Sequence, residues 1–392
     1  MDLEGLLSAV DERELERFGV TALAIAVNDG GDGYQRAWGV PVEATFRIAS
    51  ITKPLVAAAA MRLVDDGRLS LDDPLADLRL PWEGITLRQL LSHQAGLAHD
   101  WSKPLSDYGE DDDALQQMAE DAAVAGPVGP GRYFAYSNPG YWLTGALIER
   151  ATGRPFEDAL TELVLDPLGM ERTGFSPSGP SVPSDVPYPR ARRPSGGLYS
   201  CVEDLRRFSR HLLGSPGPLS RESLREMQTP QIGVGPDGDY GLGLGVVRAR
   251  GELTIEHGGA VAGVRTQLLV VPEYGSSVVV LTNSDSGHFL INRLLQSVGL
   301  GLRLPPETDV SDDDLEAVAG TFREPLGLVI AVTPRGGGLD LLLVDDDGLA
   351  HFRPVSPTRF VVREGDEKGD WAEFFEDGRL MRYKALLERV PA

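Results

Sequence analysis

Apolar residues run almost unbroken over 22–28 (ALAIAVN), a Gly/Asp turn follows at 29–33, and 34–39 returns with strand-like composition. This pattern predicts a β-hairpin near the start of the chain. Three further strand-like runs, 253–256, 264–271 and 277–282, are separated by Gly-rich or Pro-containing turns, and the five segments are expected to form one antiparallel sheet. Between the two groups of strands the apolar spacing becomes helical, at 54–66, 87–92, 113–123, 139–151, 156–164 and 202–213. Pro54 and Pro139 each stand where a helix would begin, a position at which the missing N–H costs nothing. The amphipathic stretches 3–18 and 289–300 are expected to cover one face of the sheet and the helical insertion the other. The result is an α/β architecture with two lobes, one of them mostly helical.

Beyond Leu300 the pattern changes. Residues 303–314 (RLPPETDVSDDD) read as a linker, and the chain from 315 onward alternates with period two. Strands are expected at 327–332, 339–344, 351–355, 359–363, 371–376 and 380–386, broken by Gly/Asp turns. They predict a small C-terminal β-barrel of about eighty residues. The expected division is a first domain over 1–302, a linker over 303–314 and a barrel domain over 315–392, since 392 residues exceed what one hydrophobic core usually serves.

Composition narrows the function. A formal charge of −22 argues against a nucleic-acid partner, which would need a basic face. Residues 1–20 lack the basic and apolar regions of a secretory signal, so a cytoplasmic protein is expected, and no apolar run approaches the ~20 residues that span a bilayer. Cys201 stands alone, which excludes an internal disulfide and a cysteine metal cluster.

The candidate chemistry lies in three segments. Ser50-Ile51-Thr52-Lys53 reads S-x-x-K and opens a helical run, so the hydroxyl and the amine share one helix face. A serine hydroxyl needs a neighbouring base, and a desolvated lysine can be that base. Alone the motif arises readily by chance, even with four lysines in the chain. Tyr136-Ser137-Asn138, just before the helix at Pro139, is more specific: a phenol beside an ammonium can relay a proton, and the Asn138 amide can hold a substrate amide. His257-Gly258-Gly259-Ala260 ends a predicted strand, where the two glycines would let the backbone approach a substrate. The N–H groups of Ser50 and Ala260 are then the expected oxyanion hole.

This order of motifs resembles the serine β-lactamase and penicillin-binding protein superfamily, whose class A members carry S-x-x-K, S-D-N and K-T-G. The Y-x-N form is similar to class C β-lactamases, D-alanyl-D-alanine carboxypeptidases, D-aminopeptidases and β-lactamase-fold esterases. Three more segments are family-like: 90–97 (LLSHQAGL), 194–205 (PSGGLYSCVEDL) and 240–245 (YGLGLG). The resemblance covers about residues 15 to 300. It implies a β-lactamase/transpeptidase-like fold, with Ser50 as nucleophile, Lys53 and Tyr136 as the proton-handling pair, and Asn138, His257, Gly258 and Gly259 as substrate contacts. The barrel is then similar to lipocalin-like domains of the peptidase branch. One departure stands out: His257 replaces the usual family lysine, a fixed cation near the substrate carboxylate, so recognition of β-lactam carboxylates should be weakened.

The implied reaction is two-step acyl transfer on small esters, D-amino-acid amides, short peptides or β-lactams, with no metal or cofactor. The alternative is a catalytically inactive protein of the same fold that binds a ligand or another subunit through the barrel. In the active case the barrel is expected to shape the substrate entrance or to hold a homo-oligomer together. Residues 233–238 match G-x-G-x-x-G but read as a loop, because no strand precedes them. The acidic runs 111–113, 312–314 and 345–347 read as solvated turns, and His93 as structural or site-lining.

Overall fold

Among the described residues the first part of the chain carries ten strands: β1 (Leu23–Asp29), β2 (Asp32–Trp38), β3 (Phe46–Arg47), β4 (Tyr199–Ser200), β5 (Ile232–Val234), β6 (Gly238–Tyr240), β7 (Gly245–Ala249), β8 (Glu252–Val261), β9 (Val264–Val271) and β10 (Ser276–Thr282). The structure, a computed structural model, describes residues 3–75, 84–100, 109–111, 113–121, 129–235, 238–249, 252–300, 304–324, 328–343, 349–364, 370–382 and 385–390. Among these residues eight strands form one antiparallel sheet in the order β2-β1-β10-β9-β8-β7-β6-β5, while β3 and β4 pair separately.

Period-two alternation decides what each sheet face meets. In β1, Leu23, Ile25 and Val27 point to one face and Ala24 and Ala26 to the other. The first face is covered by the helices Leu3–Ser8, Glu12–Arg17 and Gly287–Ser297, through Leu6, Leu15, Leu290 and Leu294. The helical lobe covers the second. Because both faces are buried, the central strands read as unbroken apolar runs.

The lobe is centred on the helix Thr52–Asp65, in which Thr52 to Met61 and Leu63 are buried. A helix buried on every side must have apolar or small residues all round, and Ala57 to Ala60 supply them. Its first turn comes directly after a 3-10 turn at Ala49–Ile51, so the helix starts two residues before Pro54. The helix Asn138–Thr152 likewise starts one residue before Pro139, with Ser137 as its N-cap accepting from the N–H of Gly140.

The C-terminal strands, from Gly320–Arg323 to Ala385–Arg389, close into an eight-stranded antiparallel barrel. Its interior is filled by Phe322, Phe352, Phe360 and Phe374 with Ile330, Val332, Leu339 and Leu341. This packing leaves the barrel core to side chains. The helix Asp312–Val318 adds Leu315 and Val318 to that core, with Ser311 and Asp314 forming a capping box at its start. Residues 312–314, expected as linker and solvated turn, are thus the first turn of a helix.

Some strands differ from those the sequence predicts. Strands β5, β6 and β7 carry no expectation from periodicity, and the G-x-G-x-x-G run belongs to the β5–β6 hairpin, with Gly235 in its turn at φ +62°. The run 380–386 holds parts of two strands, Arg379–Arg382 and Ala385–Arg389. The expected strand residue Val344 and the acidic run 345–347 lie outside the described residues. No described helix is long and apolar enough to cross a membrane.

Candidate active site

Ser50 sits in the 3-10 turn ahead of the central helix, preceded by Ala49 at φ +47°. A non-glycine residue there stores strain of about 1–3 kcal/mol, which the surrounding structure must hold in place. Three residues on, Lys53 is completely buried. Its Nζ donates to Ser50 Oγ at 3.1 Å, to Asn138 Oδ1 at 2.8 Å and to the backbone oxygen of Ser195 at 2.7 Å.

The chemistry of these three partners differs. Asn138 Oδ1 and the Ser195 carbonyl only accept, whereas a hydroxyl also donates. An ammonium on Lys53 therefore uses all three protons. A neutral amine keeps the two bonds to carbonyl oxygens and turns its lone pair on the Ser50 hydroxyl, which is the geometry of a base. Burial works against the charged form of an amine, and Lys53 has no bulk water as an alternative partner. The Ser195 carbonyl is itself held, because Ser195 Oγ accepts from Trp142 Nε1 and donates to the Arg192 carbonyl.

Tyr136 is buried, with its ring centroid 4.9 Å from Lys53 Nζ and 4.1 Å from the His93 ring. His93 holds the Tyr-Ser-Asn segment from below: its carbonyl accepts from the N–H of Ala135, and its Nδ1 accepts from the N–H of Ser137. His99 adds a second clamp, donating from Nδ1 to the Tyr136 carbonyl and accepting the Asn138 N–H on its own carbonyl.

The fourth side is β8. Its ladder with β7 stops at Glu256, while that with β9 continues through Val261. From His257 onward β8 thus has β9 on one edge only, and the other edge lies along the turn that carries Ser50. Gly259 explains how close the two segments come: a Cβ there would sit 2.3 Å from the Ile48 carbonyl oxygen and 2.1 Å from Thr266 Oγ1. The need for glycine at 259 is therefore internal packing rather than room for substrate. Gly258 is different, exposed and with only Gln267 Oε1 within close reach. Ala260 is next in the strand after Gly259, and Ser50 lies two residues after Ile48.

His257 is buried and fixed at both ring nitrogens, by the Gly258 carbonyl at 2.7 Å and by Tyr240 Oη at 3.1 Å. A carbonyl only accepts, so Nδ1 carries a proton. Burial and the neighbouring phenols push Tyr240 well above the ordinary tyrosine range, and burial does the same for Tyr141. Both remain neutral hydroxyls.

The expected residues Ser50, Lys53, Tyr136 and Asn138 are brought into one cluster, and β8 places His257 beside it within 6.3 Å of the Tyr136 ring. Asn138 gives its oxygen to Lys53, so its NH2 end is the part available to a substrate. The sequence motifs assign no role to Ser195, His99 or Tyr240, although Ser195 and Tyr240 lie in segments that are family-like. Among the described residues no group of three or more His, Cys, Asp or Glu side chains could hold a metal ion.

The chain is similar to known proteins in sequence and in fold. The Beta-lactamase family model matches residues 9–298. A penicillin-binding protein 4 of Amycolatopsis lactamdurans is 28% identical over 363 residues, covering 79% of this chain and 94% of that protein. A D-aminopeptidase of Cereibacter sphaeroides is 26% identical over 406 residues, covering 93% of this chain and 76% of that protein. Among solved structures, that of SurE with D-Leu matches 97% of both chains with a TM-score of 0.81 and 26% identity.

Proposed function

The chain belongs to the Beta-lactamase family and is a hydrolase of that superfamily, and on that premise we propose that it cleaves small esters or amides through an acyl-enzyme on Ser50. The observation that carries this reading is the Lys53 amine, buried and bonded to Ser50 Oγ and to two oxygens that can only accept. Lys53, with Tyr136 beside it, takes the Ser50 proton as Oγ attacks the substrate carbonyl. The tetrahedral oxyanion is met by the N–H groups of Ser50 and Ala260. The proton passes to the leaving amine or alcohol, the acyl group stays on Ser50, and water then releases it as a carboxylic acid. Asn138 and the β8 segment at His257 to Gly259 flank the substrate.

Amides and short peptides of D-amino acids are the substrate class we favour over β-lactams. The lysine that would face a β-lactam carboxylate is His257 here, held by Gly258 and Tyr240. The D-aminopeptidase relative and the D-Leu seen in the SurE structure point in the same direction. In this reading the hydrolase domain comprises residues 1–302, and the lipocalin-like barrel domain begins with the helix Asp312–Val318.

The test is hydrolysis of p-nitrophenyl butyrate, D- and L-alanine p-nitroanilide and a chromogenic cephalosporin by the wild type and Ser50→Ala. The expected result is turnover of the ester and the D-anilide that falls at least ~10³-fold in the variant, since nucleophile loss is among the largest single effects known. Equal turnover in wild type and variant would remove Ser50 from the mechanism. Faster cephalosporin than D-anilide cleavage would reverse the substrate order.

A further inference from the structure

The barrel touches the rest of the molecule at points that converge on the site. Tyr133, three residues before Tyr136, donates its hydroxyl to the Asp377 carboxylate, and Arg379 joins the pair by bonding both Tyr133 Oη and Asp377. Arg379 is anchored in turn by Glu388 at 3.0 Å. Around this polar contact Tyr133 and Ala135 pack with Met381, Leu386, Trp371 and Phe375 of the barrel, the Tyr133 and Phe375 rings being 4.7 Å apart.

A second contact comes from the end of the first barrel strand. Glu324 is buried, and its carboxylate faces the backbone N–H of His99, whose attraction opposes the rise that burial causes. His99 is the residue that bonds both the Tyr136 carbonyl and the Asn138 N–H. A carboxylate taken out of water is costly unless its position is used, and burial pushes this one above the ordinary range. A third contact lies at the β5–β6 turn, where a Cβ on Gly235 would come within 3.1 Å of the Trp371 ring. That hairpin ends at Tyr240, the partner of His257.

We propose that the barrel is a positioning element of the catalytic site: Glu324 through His99, and Asp377 through Tyr133, hold residues 133–138 so that the Tyr136 phenol and the Asn138 amide face Ser50 and Lys53. The proposal rests on the Ser50 reading and goes beyond it, since none of these four residues touches the reacting atoms. A displacement of the reacting groups by about 1 Å can cost on the order of 10²-fold in rate, so a clamp acting at a distance of three residues is sufficient. It also accounts for a barrel whose own interior is filled.

The test uses the full chain with Glu324→Ala, Glu324→Gln and Tyr133→Phe. Three readouts are compared: labelling of Ser50 by a fluorophosphonate probe, kcat and KM for p-nitrophenyl butyrate, and the melting temperature. The expected result is a kcat about 10- to 100-fold lower in Glu324→Ala and Tyr133→Phe, with KM within about twofold. Glu324→Gln should recover most of the rate, because its amide oxygen can still face the His99 N–H. Unchanged kcat in both the alanine and phenylalanine variants overturns the proposal. So does a glutamine variant as slow as the alanine one, or a loss that tracks the unfolded fraction. A wild-type chain without label on Ser50 overturns the Ser50 reading together with this one, whereas a labelled wild type with unchanged variants overturns this one alone.

Discussion

Lys53 and Phe360 are both wholly removed from water, yet what surrounds them differs in kind. Around Phe360 the barrel offers other rings, with Phe374 edge-on at 5.7 Å, and any apolar group of the right volume would satisfy the space. Around Lys53 three oxygens stand at hydrogen-bond distance of the amine, with the Tyr136 and Tyr141 rings beside it. The first interior is specified by volume and the second by direction. A buried amine is stabilised only by partners that face it, so the arrangement around Lys53 would be a liability unless the amine had a task.

The largest effect expected from this contrast comes from replacing Lys53 by methionine, which keeps the length and removes the nitrogen. Turnover should drop by at least ~10³-fold, as for loss of other proton-handling residues. Stability should fall by a few kcal/mol at most, since each of the two oxygens left unpaired costs about 1–3 kcal/mol while the methionine side chain fills the same buried space. Steady-state kinetics and a thermal melt on one preparation would check this. A variant that loses activity only because it unfolds would erase the distinction between the two interiors.

Phe360→Ala makes the opposite cut. It should cost about 3–5 kcal/mol of stability, the usual range for a deleted core ring, and at low temperature leave the kcat of the folded fraction intact. Urea unfolding beside active-site titration would separate the two quantities. A fall in kcat per folded molecule would mean that barrel packing reaches the site by more than the contacts at Glu324 and Tyr133.

The smallest expected effect sharpens the contrast with a carboxyl group whose shift comes from burial and not from a partner among the described residues. Glu256 lies in β8 opposite Leu269, and burial alone pushes its carboxyl up to about 7 from 4.5. The folded state therefore prefers the protonated acid. Its stability is unaffected by this group below pH 4.5 and declines as pH rises towards 7, where the folded state must also ionise it. Glu256→Gln should leave the melting temperature unchanged near pH 4 and raise it by about 2 °C at pH 8. An equal gain at both pH values would assign the effect to shape rather than charge.

The same contrast explains how much is legible in the sequence. Ser50 and Lys53 can be paired because their relation is local, three residues apart, from a 3-10 turn into the first turn of the helix that follows it. Their setting is not local: Ser195 lies 142 positions from Lys53, and it presents a backbone carbonyl, which leaves no trace in residue type. Tyr240 and His99 act through contacts that only the folded chain creates. Strands β1 and β10 and the second half of β9 are readable because burial on both faces makes them apolar. Strands β5 to β7 are not, being three to five residues long and half-exposed at the sheet edge. In the barrel, Glu324 and Asp377 resemble any solvated charge in a turn, and nothing in the sequence distinguishes the two that reach the neighbouring lobe. The glycines of His257-Gly258-Gly259 suggest room for substrate, and for Gly259 the actual reason is the Ile48 carbonyl.

That last feature bears on how this site can diversify. Of the triplet on β8, the final glycine is locked by the Ile48 carbonyl and the Thr266 hydroxyl, while the middle position opens outward and meets the flexible end of Gln267 and, at ordinary contact distance, the Thr266 carbonyl. A threonine or serine at 258 is therefore sterically admissible, and a side chain at 259 is not. Both His-Gly-Gly and the Lys-Thr-Gly of class A enzymes obey that rule. The protein thus carries one immutable letter and two editable ones, and a directed library aimed at new substrate classes should spend its diversity on 257 and 258 alone.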